Sequence, residues 1–244
     1  MKTIRVFLIV CIALLTVACS IVIGNQTAGS GNVITENRSV GNFTGIDLSC
    51  SADVTIEQGE PLAVSIEGED NILPLIDTKV SGDTLSIDAK PNSSFRTTKR
   101  LVVHITVPEL SSIRSTGSGD VDMGEWVAAN AELETTGSGD IHIDSLETPS
   151  LTARLSGSGD ITIDQGRAGS QTVRTSGSGD YKGASLHSRE VKATTSGSGN
   201  ITVWVTDDLS ASTSGSGDIQ YYGSPAVDKR DTGSGSVEKL GDRP

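Results

Sequence analysis

The stretch that decides the fold is RLSGSGDITID, residues 154–164, because nearly the same phrase returns at regular intervals along the chain. Its core is Gly-Ser-Gly followed by one short polar residue. The last residues of its seven copies are Asp120, Asp140, Asp160, Asp180, Asn200, Asp218 and Ser236, so successive copies lie twenty positions apart up to Asn200 and eighteen positions apart beyond it. A repeat of about 20 residues is typical of solenoids, in which each unit packs on its neighbours.

Apolar and polar residues alternate on both sides of each phrase, as they do in strands with one buried face. The position directly after the phrase shows this best, since it reads Val121, Ile141, Ile161, Tyr181, Ile201, Ile219 and Val237. A unit of this length is too short for two packed helices. Stacking the units in register covers their apolar faces, so the sequence predicts an all-β, parallel β-solenoid with coils of about 20 residues.

The chain divides into four segments. Residues 1–18 resemble a lipoprotein-type signal peptide, and residues 19–37 form a polar, Gly-rich tether. Residues 38–240 are predicted to form one solenoid domain, with irregular opening coils over 38–113 and regular coils over 114–240. In the last coil Lys229 and Lys239 replace apolar residues, which predicts a polar cap that hinders edge-to-edge growth.

The N-terminus predicts export. Lys2 and Arg5 precede a long apolar run, and LLTVAC within that run resembles a lipobox, so that Cys19 is the expected site of lipidation. The alternative is an uncleaved signal anchor, because Val6–Ile23 is barely long enough to span a bilayer. Either reading places the domain outside the cytoplasm. With a lipid anchor it belongs to the cell envelope, at the outer membrane if the cell is Gram-negative.

The repeated phrase itself has three possible roles. Glycine tolerates a left-handed backbone, so one role is a tight corner in which the glycines have positive φ and the Asp side chains complete the turn. A second role is a ladder that binds Ca²⁺, and a third is a row of catalytic carboxylates like those of glycan-cleaving solenoids. Asn200 interrupts the Asp column without losing the turn chemistry, which favours the structural corner. Its predicted members are Asp120, Asp140, Asp160, Asp180, Asn200 and Asp218.

Composition and motifs argue against several classes of function. A formal net charge of −12 without a basic cluster argues against a nucleic-acid partner. No nucleophile motif, phosphate loop or zinc spacing is present, and the three histidines, His104, His142 and His187, share no spacing and are read as surface residues. We therefore expect no catalytic residues, no metal and no cofactor. The paired acids Asp140–Asp144 and Asp160–Asp164 keep a glycan-cleaving enzyme open as an alternative.

Two of the few aromatic residues are the expected ligand contacts. Trp204 and Tyr222 alternate with buried-type residues and should face outward, where they could contact a ligand. Tyr181 and Tyr221 fall in the inward positions and should lie in the core. Cys50 is left without a partner, so no disulfide framework is expected.

The chain resembles the head GIN domain of putative autotransporter adhesins. The resemblance rests on NFTGIDLSCSADVTIEQGE (residues 42–60), on the Gly-Ser-Gly-Asp coils, and on YYGSPAVDKRDTGSGSVEKL (residues 221–240). It implies a right-handed parallel β-helix at the cell envelope and brings no functional residues with it. Cys50 stands where the family has a small residue. The predicted function is a non-catalytic, adhesin-like module of a cell-envelope lipoprotein that binds a cell-surface or extracellular polymer or protein.

Overall fold

The computed structural model describes residues 26–243. The predicted signal peptide and Cys19 lie outside these residues. The described part contains one short 3-10 helix, Leu73–Leu75, and no helix in it is long and apolar enough to cross a membrane. The strands are β1 (Thr27–Ala28), β2 (Val33–Asn37), β3 (Gly45–Leu48), β4 (Asp53–Gln58), β5 (Ala63–Glu69), β6 (Ile76–Ser81), β7 (Thr84–Ala89), β8 (Phe95–Arg96), β9 (Val102–Val107), β10 (Ser112–Ser115), β11 (Val121–Val127), β12 (Ala131–Thr135), β13 (Ile141–Leu155), β14 (Ile161–Ile163), β15 (Gly166–Thr175), β16 (Tyr181–Thr195), β17 (Ile201–Thr213), β18 (Ile219–Tyr222), β19 (Ala226–Asp231) and β20 (Val237–Gly241).

The regular coils stack in parallel, and their register follows the repeat. Val121 pairs with Ile141, which pairs with Ile161, and the same column continues through β16, β17, β18 and β20. Every residue of this column is buried, from 0% exposure at Val121 to 8% at Val237. The predicted all-β fold, a parallel β-solenoid, is therefore confirmed.

The opening coils are continuous with the regular ones. Strand β3 pairs in parallel with β7 on one side and β10 on the other, and β4 pairs likewise with β9 and β11. Antiparallel strands supply the expected irregularity, because β5 pairs with β2 and β9, and β6 pairs with β7. One apolar core runs through both parts.

The segment predicted as a tether is partly built into the fold. Strand β2 pairs with the edge of β5, and β1 pairs with β8. The buried carboxylate of Glu69 accepts hydrogen bonds from the backbone N–H groups of Gly31 (2.7 Å) and Thr98 (2.8 Å). These bonds hold a polar stretch that has few apolar side chains of its own to bury. The boundaries of the four predicted segments otherwise stay predictions.

The glycines of the repeat are required for a reason other than the predicted one. None of them has φ in the left-handed range, so the expectation of positive φ is wrong. Instead, an added Cβ at Gly137 would lie 1.9 Å from the carbonyl oxygen of Gly117, and one at Gly157 would lie 2.0 Å from that of Gly137. Corners of successive coils stack so closely that there is no room for a side chain pointing along the stack.

Cys50 shows which corner escapes this restriction. It lies in the first corner of the stack, below Gly117, and is buried with a free thiol whose pKa is raised by burial. The strands beneath this corner, β7 and β9, are joined by the long segment 90–101 and not by a short corner. A side chain therefore fits here, and the departure from the family pattern does not break the turn.

Candidate functional site

A recess on the outer surface lies where the coil length changes. Between β16 and β17 the pairing begins with the longer period of the repeat, as in Gly183 with Val203. The register then shifts, so that His187 pairs with Trp204, and it settles at the shorter period from Glu190, which pairs with Asp208. The longer coil must bulge where it faces the shorter one. The recess lies over this irregularity.

The shifted register aligns four side chains on the outer face. Arg167 pairs with His187, His187 with Trp204, and Trp204 with Tyr222. The rings of His187 and Trp204 meet edge to face, with centroids 4.8 Å apart. This arrangement is one of the favoured geometries for two aromatic rings, and it fixes the orientation of the indole.

The recess, which we call the Trp204 groove, has a volume of about 680 Å³. It is lined by Gly166, Arg167, His187, Trp204, Thr206, Gly223, Ser224, Asp242 and Arg243. Gly166 and Gly223 contribute no side chain, and both have positive φ, +127° and +103°. An added Cβ at either would lie 2.0 Å from a carbonyl oxygen of the preceding coil, so only glycine fits at these two positions.

Two charged residues of the groove, Arg243 and Asp242, have defined partners. The guanidinium of Arg243 stacks 4.5 Å from the centre of the Tyr222 ring and donates a hydrogen bond to the hydroxyl of Ser185 (3.2 Å). The carboxylate of Asp242 lies 2.7 Å from Lys239 Nζ and accepts a hydrogen bond from Ser224 (2.9 Å). These contacts, that with Lys239 first, lower the pKa of Asp242 and keep it ionised.

The column of Asp residues forms a continuous hydrogen-bond ladder along another edge. Asp140 N–H donates to Asp120 Oδ1 (2.9 Å), and Asp160 N–H donates to Asp140 Oδ1 (2.8 Å). Asn200 acts as both donor and acceptor in the ladder: its N–H donates to Asp180, and its Oδ1 accepts from Asp218 N–H (2.9 Å). Ser236 ends the ladder as a donor to Asp218. One oxygen of each side chain is thus engaged in joining successive corners.

Comparison with known proteins identifies the family. The family model described as putative auto-transporter adhesin, head GIN domain, matches residues 42–225. The chain belongs to this family. Among curated protein sequences, none is similar enough to the chain to count as a relative.

Solved structures share the fold of this GIN domain. A putative adhesin from Bacteroides fragilis is 29% identical, with a TM-score of 0.84 over 88% of this chain and 100% of that one. A putative lipid binding protein from Parabacteroides distasonis is 26% identical, with a TM-score of 0.73 over 88% of this chain and 99% of that one. A putative adhesin from the same species is 23% identical and shows the fold alone, with a TM-score of 0.71 over 88% and 100% of the two chains.

A second polar cluster of the GIN domain surrounds His142. Its Nε2 lies 2.9 Å from Asp164 Oδ2 and 3.9 Å from Asp144 Oδ1, and its Nδ1 lies 3.5 Å from Asp122. One donor atom from each of His142, Asp144 and Asp164 falls within 4.8 Å of the others, a spacing that a divalent metal ion would need. The hydrogen bond to Asp164 raises the pKa of His142, so a protonated ring can offset part of the negative charge of these acids.

The structure brings together only some of the predicted site residues. Trp204 and Tyr222 are half-buried on the outer face and adjacent, whereas Tyr181 is fully buried and Tyr221 is half-buried. His187, expected to be an ordinary surface residue, lines the Trp204 groove. Sequence reasoning missed Arg167, His187 and Arg243. The signal for the groove was the shortening of the repeat after Asn200.

Proposed function

We propose that this GIN domain is a non-catalytic, adhesin-like binding module that is held outside the cytoplasm by a lipid on Cys19. Three observations support the proposal: the export segment with its lipobox-like LLTVAC, the family match, and the similarity to proteins described as putative adhesins. The same fold occurs in a putative lipid binding protein, so the family description alone does not select the partner.

The observation that carries the binding role is the Trp204 groove. Its ring pair of His187 and Trp204 offers an apolar surface beside the hydroxyls of Thr206 and Ser224. Ligand sites combine a concave apolar surface with a few polar groups in this way. A sugar ring presents a C–H face and a rim of hydroxyls, and therefore suits such a surface. The proposed partner is a polysaccharide of the cell surface or its surroundings.

The chemistry of the groove supports binding without catalysis. Glycoside hydrolysis generally needs two carboxylates flanking the scissile bond. Among the described residues that line the groove, Asp242 is the only acid, and Lys239 and Ser224 already engage it. The repeated acids serve elsewhere, since each Asp of the column accepts a backbone N–H, and Asp144 and Asp164 face His142.

The proposal is tested by measuring binding of the soluble domain, residues 26–244, to immobilised neutral and acidic polysaccharides. Trp204→Ala should raise the dissociation constant about tenfold or more, as expected for loss of a central aromatic contact. The matched control is Val127→Ala, because Val127 is an apolar residue with 63% exposure that lies outside the groove. Equal binding by Trp204→Ala and by the unmodified domain would refute the groove as the binding site.

The lipid anchor needs a separate test in cells. Cys19→Ala should move the full-length protein from the membrane fraction to the soluble extracytoplasmic fraction and abolish incorporation of labelled fatty acid. Cys11→Ala, within the same apolar run, is the control and should change neither property. Retention of Cys19→Ala in the membrane would instead favour the uncleaved signal anchor.

A further inference from the structure

The Trp204 groove carries positive charge on a protein whose formal net charge is −12. Arg167 and Arg243 both line it. The only acid among its described lining residues, Asp242, is paired with Lys239 at 2.7 Å, so its charge is offset locally. The groove is therefore left with two guanidinium groups in excess.

Neither guanidinium is used in an ion pair within residues 26–243. Other arginines of the chain do pair with carboxylates, namely Arg38, Arg100, Arg114 and Arg154. Arg167 has Glu147 in register on the preceding coil, yet the two side chains form no salt bridge. Arg243 uses one N–H for Ser185 and its face for Tyr222, which leaves further N–H donors available.

We infer that the groove selects an anionic polysaccharide whose acidic groups are the carboxylates of hexuronic acid residues. The inference rests on the proposed function and specifies its ligand class. A guanidinium binds a planar carboxylate through two parallel N–H donors, and stacking on Tyr222 holds the Arg243 plane in place for such a contact. The indole of Trp204 then takes the apolar face of a sugar ring.

An anionic membrane surface is the competing source of negative charge, and the groove suits it less well. Insertion into a membrane interface requires exposed apolar side chains next to the basic ones. The exposed large apolar residues of the described chain are Val33, Ile34, Val127, Val227 and Leu240. None of them lines the groove.

The test uses polygalacturonate and its fully methyl-esterified form, which share a backbone and differ in charge. The domain should bind the acid about tenfold or more tightly than the ester. Arg167→Gln and Arg243→Gln should each weaken binding to the acid by a similar factor. Arg174→Gln is the matched control, because Arg174 is exposed like Arg167, forms no salt bridge in the described chain and lies outside the groove.

Each other outcome identifies a particular failure. Equal, Trp204-dependent binding to acid and ester would overturn the inference while leaving the proposed function standing. Equal losses in Arg167→Gln and Arg174→Gln would show a nonspecific charge effect and overturn it as well. Tighter binding to phosphatidylglycerol vesicles than to polygalacturonate, lost in Arg243→Gln, would assign the groove to a membrane. Loss of Trp204 dependence on every polysaccharide would refute the proposed function too.

Discussion

The glycines and the Asp of the repeated phrase each make a contact with a neighbouring coil. The two glycines leave space for the carbonyl oxygens of the previous corner, and the Asp carboxylate accepts the N–H of the next corner. The requirement for glycine is stricter than the requirement for Asp. A side chain has no room where one Gly-Ser-Gly corner stacks on another, whereas Asn200 replaces Asp and keeps the hydrogen bond. This explains why the glycines are unbroken and the acids are not.

Gly157→Ala should destabilise the domain by about 3 kcal/mol, because overpacking against backbone cannot be relieved by moving a side chain. The new Cβ would lie 2.0 Å from the carbonyl oxygen of Gly137. Gly124→Ala is the matched control, since nothing lies within 4 Å of a Cβ there and the change should stay within about 0.5 kcal/mol. Urea unfolding measures both. Similar midpoints for the two variants would show that the corners are not closely stacked.

Substitutions of Asp160 can distinguish the hydrogen-bond acceptor role of its side chain from the effect of its negative charge. It accepts the N–H of Asp180 at 2.7 Å and pairs with Lys182. Asp160→Ala leaves that N–H without its partner and should cost about 1–3 kcal/mol, whereas Asp160→Asn keeps an acceptor and should cost less than about 1 kcal/mol. Chemical unfolding of both variants measures the difference. If the Asp column bound Ca²⁺, both variants would lose a ligand and would destabilise the domain equally. A chelator would then also destabilise the unmodified domain.

The charge of Asp160 should also show in the pH dependence of stability. Burial alone would raise its pKa, but the Lys182 hydrogen bond and the Asp180 N–H together lower it. A lowered folded-state pKa stabilises the fold above the unfolded value of about 4, and this contribution disappears as pH falls through the folded value. The stability difference between the unmodified domain and Asp160→Asn should therefore be present at pH 7 and vanish in strong acid. A constant difference would exclude the ion pair as its source.

Within strand β16, an unusually large inward side chain is followed by a glycine at the next inward position. Tyr181 and Gly183 occupy adjacent inward positions of β16 where the coil before has Ile161 and Ile163. A Cβ at Gly183 would lie 2.6 Å from the Tyr181 ring, so a side chain is excluded here because the tyrosine fills its space. The buried hydroxyl of Tyr181 donates to Gln171 at 2.7 Å.

Gly183→Ala should therefore cost about 1–3 kcal/mol in the unmodified domain and much less in the background Tyr181→Ile. Chemical unfolding of the two single variants and the double variant gives the coupling energy directly. The control pair is Gly124→Ala combined with Tyr181→Ile, whose effects should add because Gly124 has open space around its Cβ. Additive effects for Tyr181 and Gly183 would contradict the packing explanation.

How far the sequence predicts this structure depends on the range of the contacts involved. Inward positions such as Val121, Ile141 and Ile161 follow from alternation and a fixed period, because each depends only on its own strand and the next. The Trp204 groove could not be predicted in this way. Where the register passes from the longer period to the shorter one, the partner of Trp204 depends on where the bulge falls, and no local pattern specifies that. Arg243 reaches the groove only through the folded C-terminal segment.

Over the whole molecule, the order of the stack separates the first strands, β1 and β2, from the Trp204 groove. Strands β1 and β2, which follow the predicted lipid anchor, pair within the opening coils through β8 and β5. The Trp204 groove is built by β15, β16, β17 and the segments after β18, at the opposite end of the stack. A domain tethered at Cys19 would therefore have the opening coils close to its attachment point and the groove farther along the stack.

The end of the solenoid must also resist adding another copy of itself. Strands β19 and β20 pair on one side only, with β17 and β18, and Val227 and Leu240 are 40% and 43% exposed there. Lys229 continues the inward column of Ala211 and places a charge where the next coil would stack. Open strand edges are commonly protected from association by such a lysine.

Lys229→Val should therefore promote self-association, lowering the dissociation constant at least about tenfold, because it extends the apolar column to the open end. Analytical ultracentrifugation over a range of protein concentrations measures the effect. Arg230→Val removes the same charge from the neighbouring position of β19, which continues the outward column of Ser212 and should leave the domain monomeric to the same extent as the unmodified protein. If both variants associate equally, the association is caused by the loss of a positive charge and not by extending the inward apolar column. Lys229 would then not act as a cap.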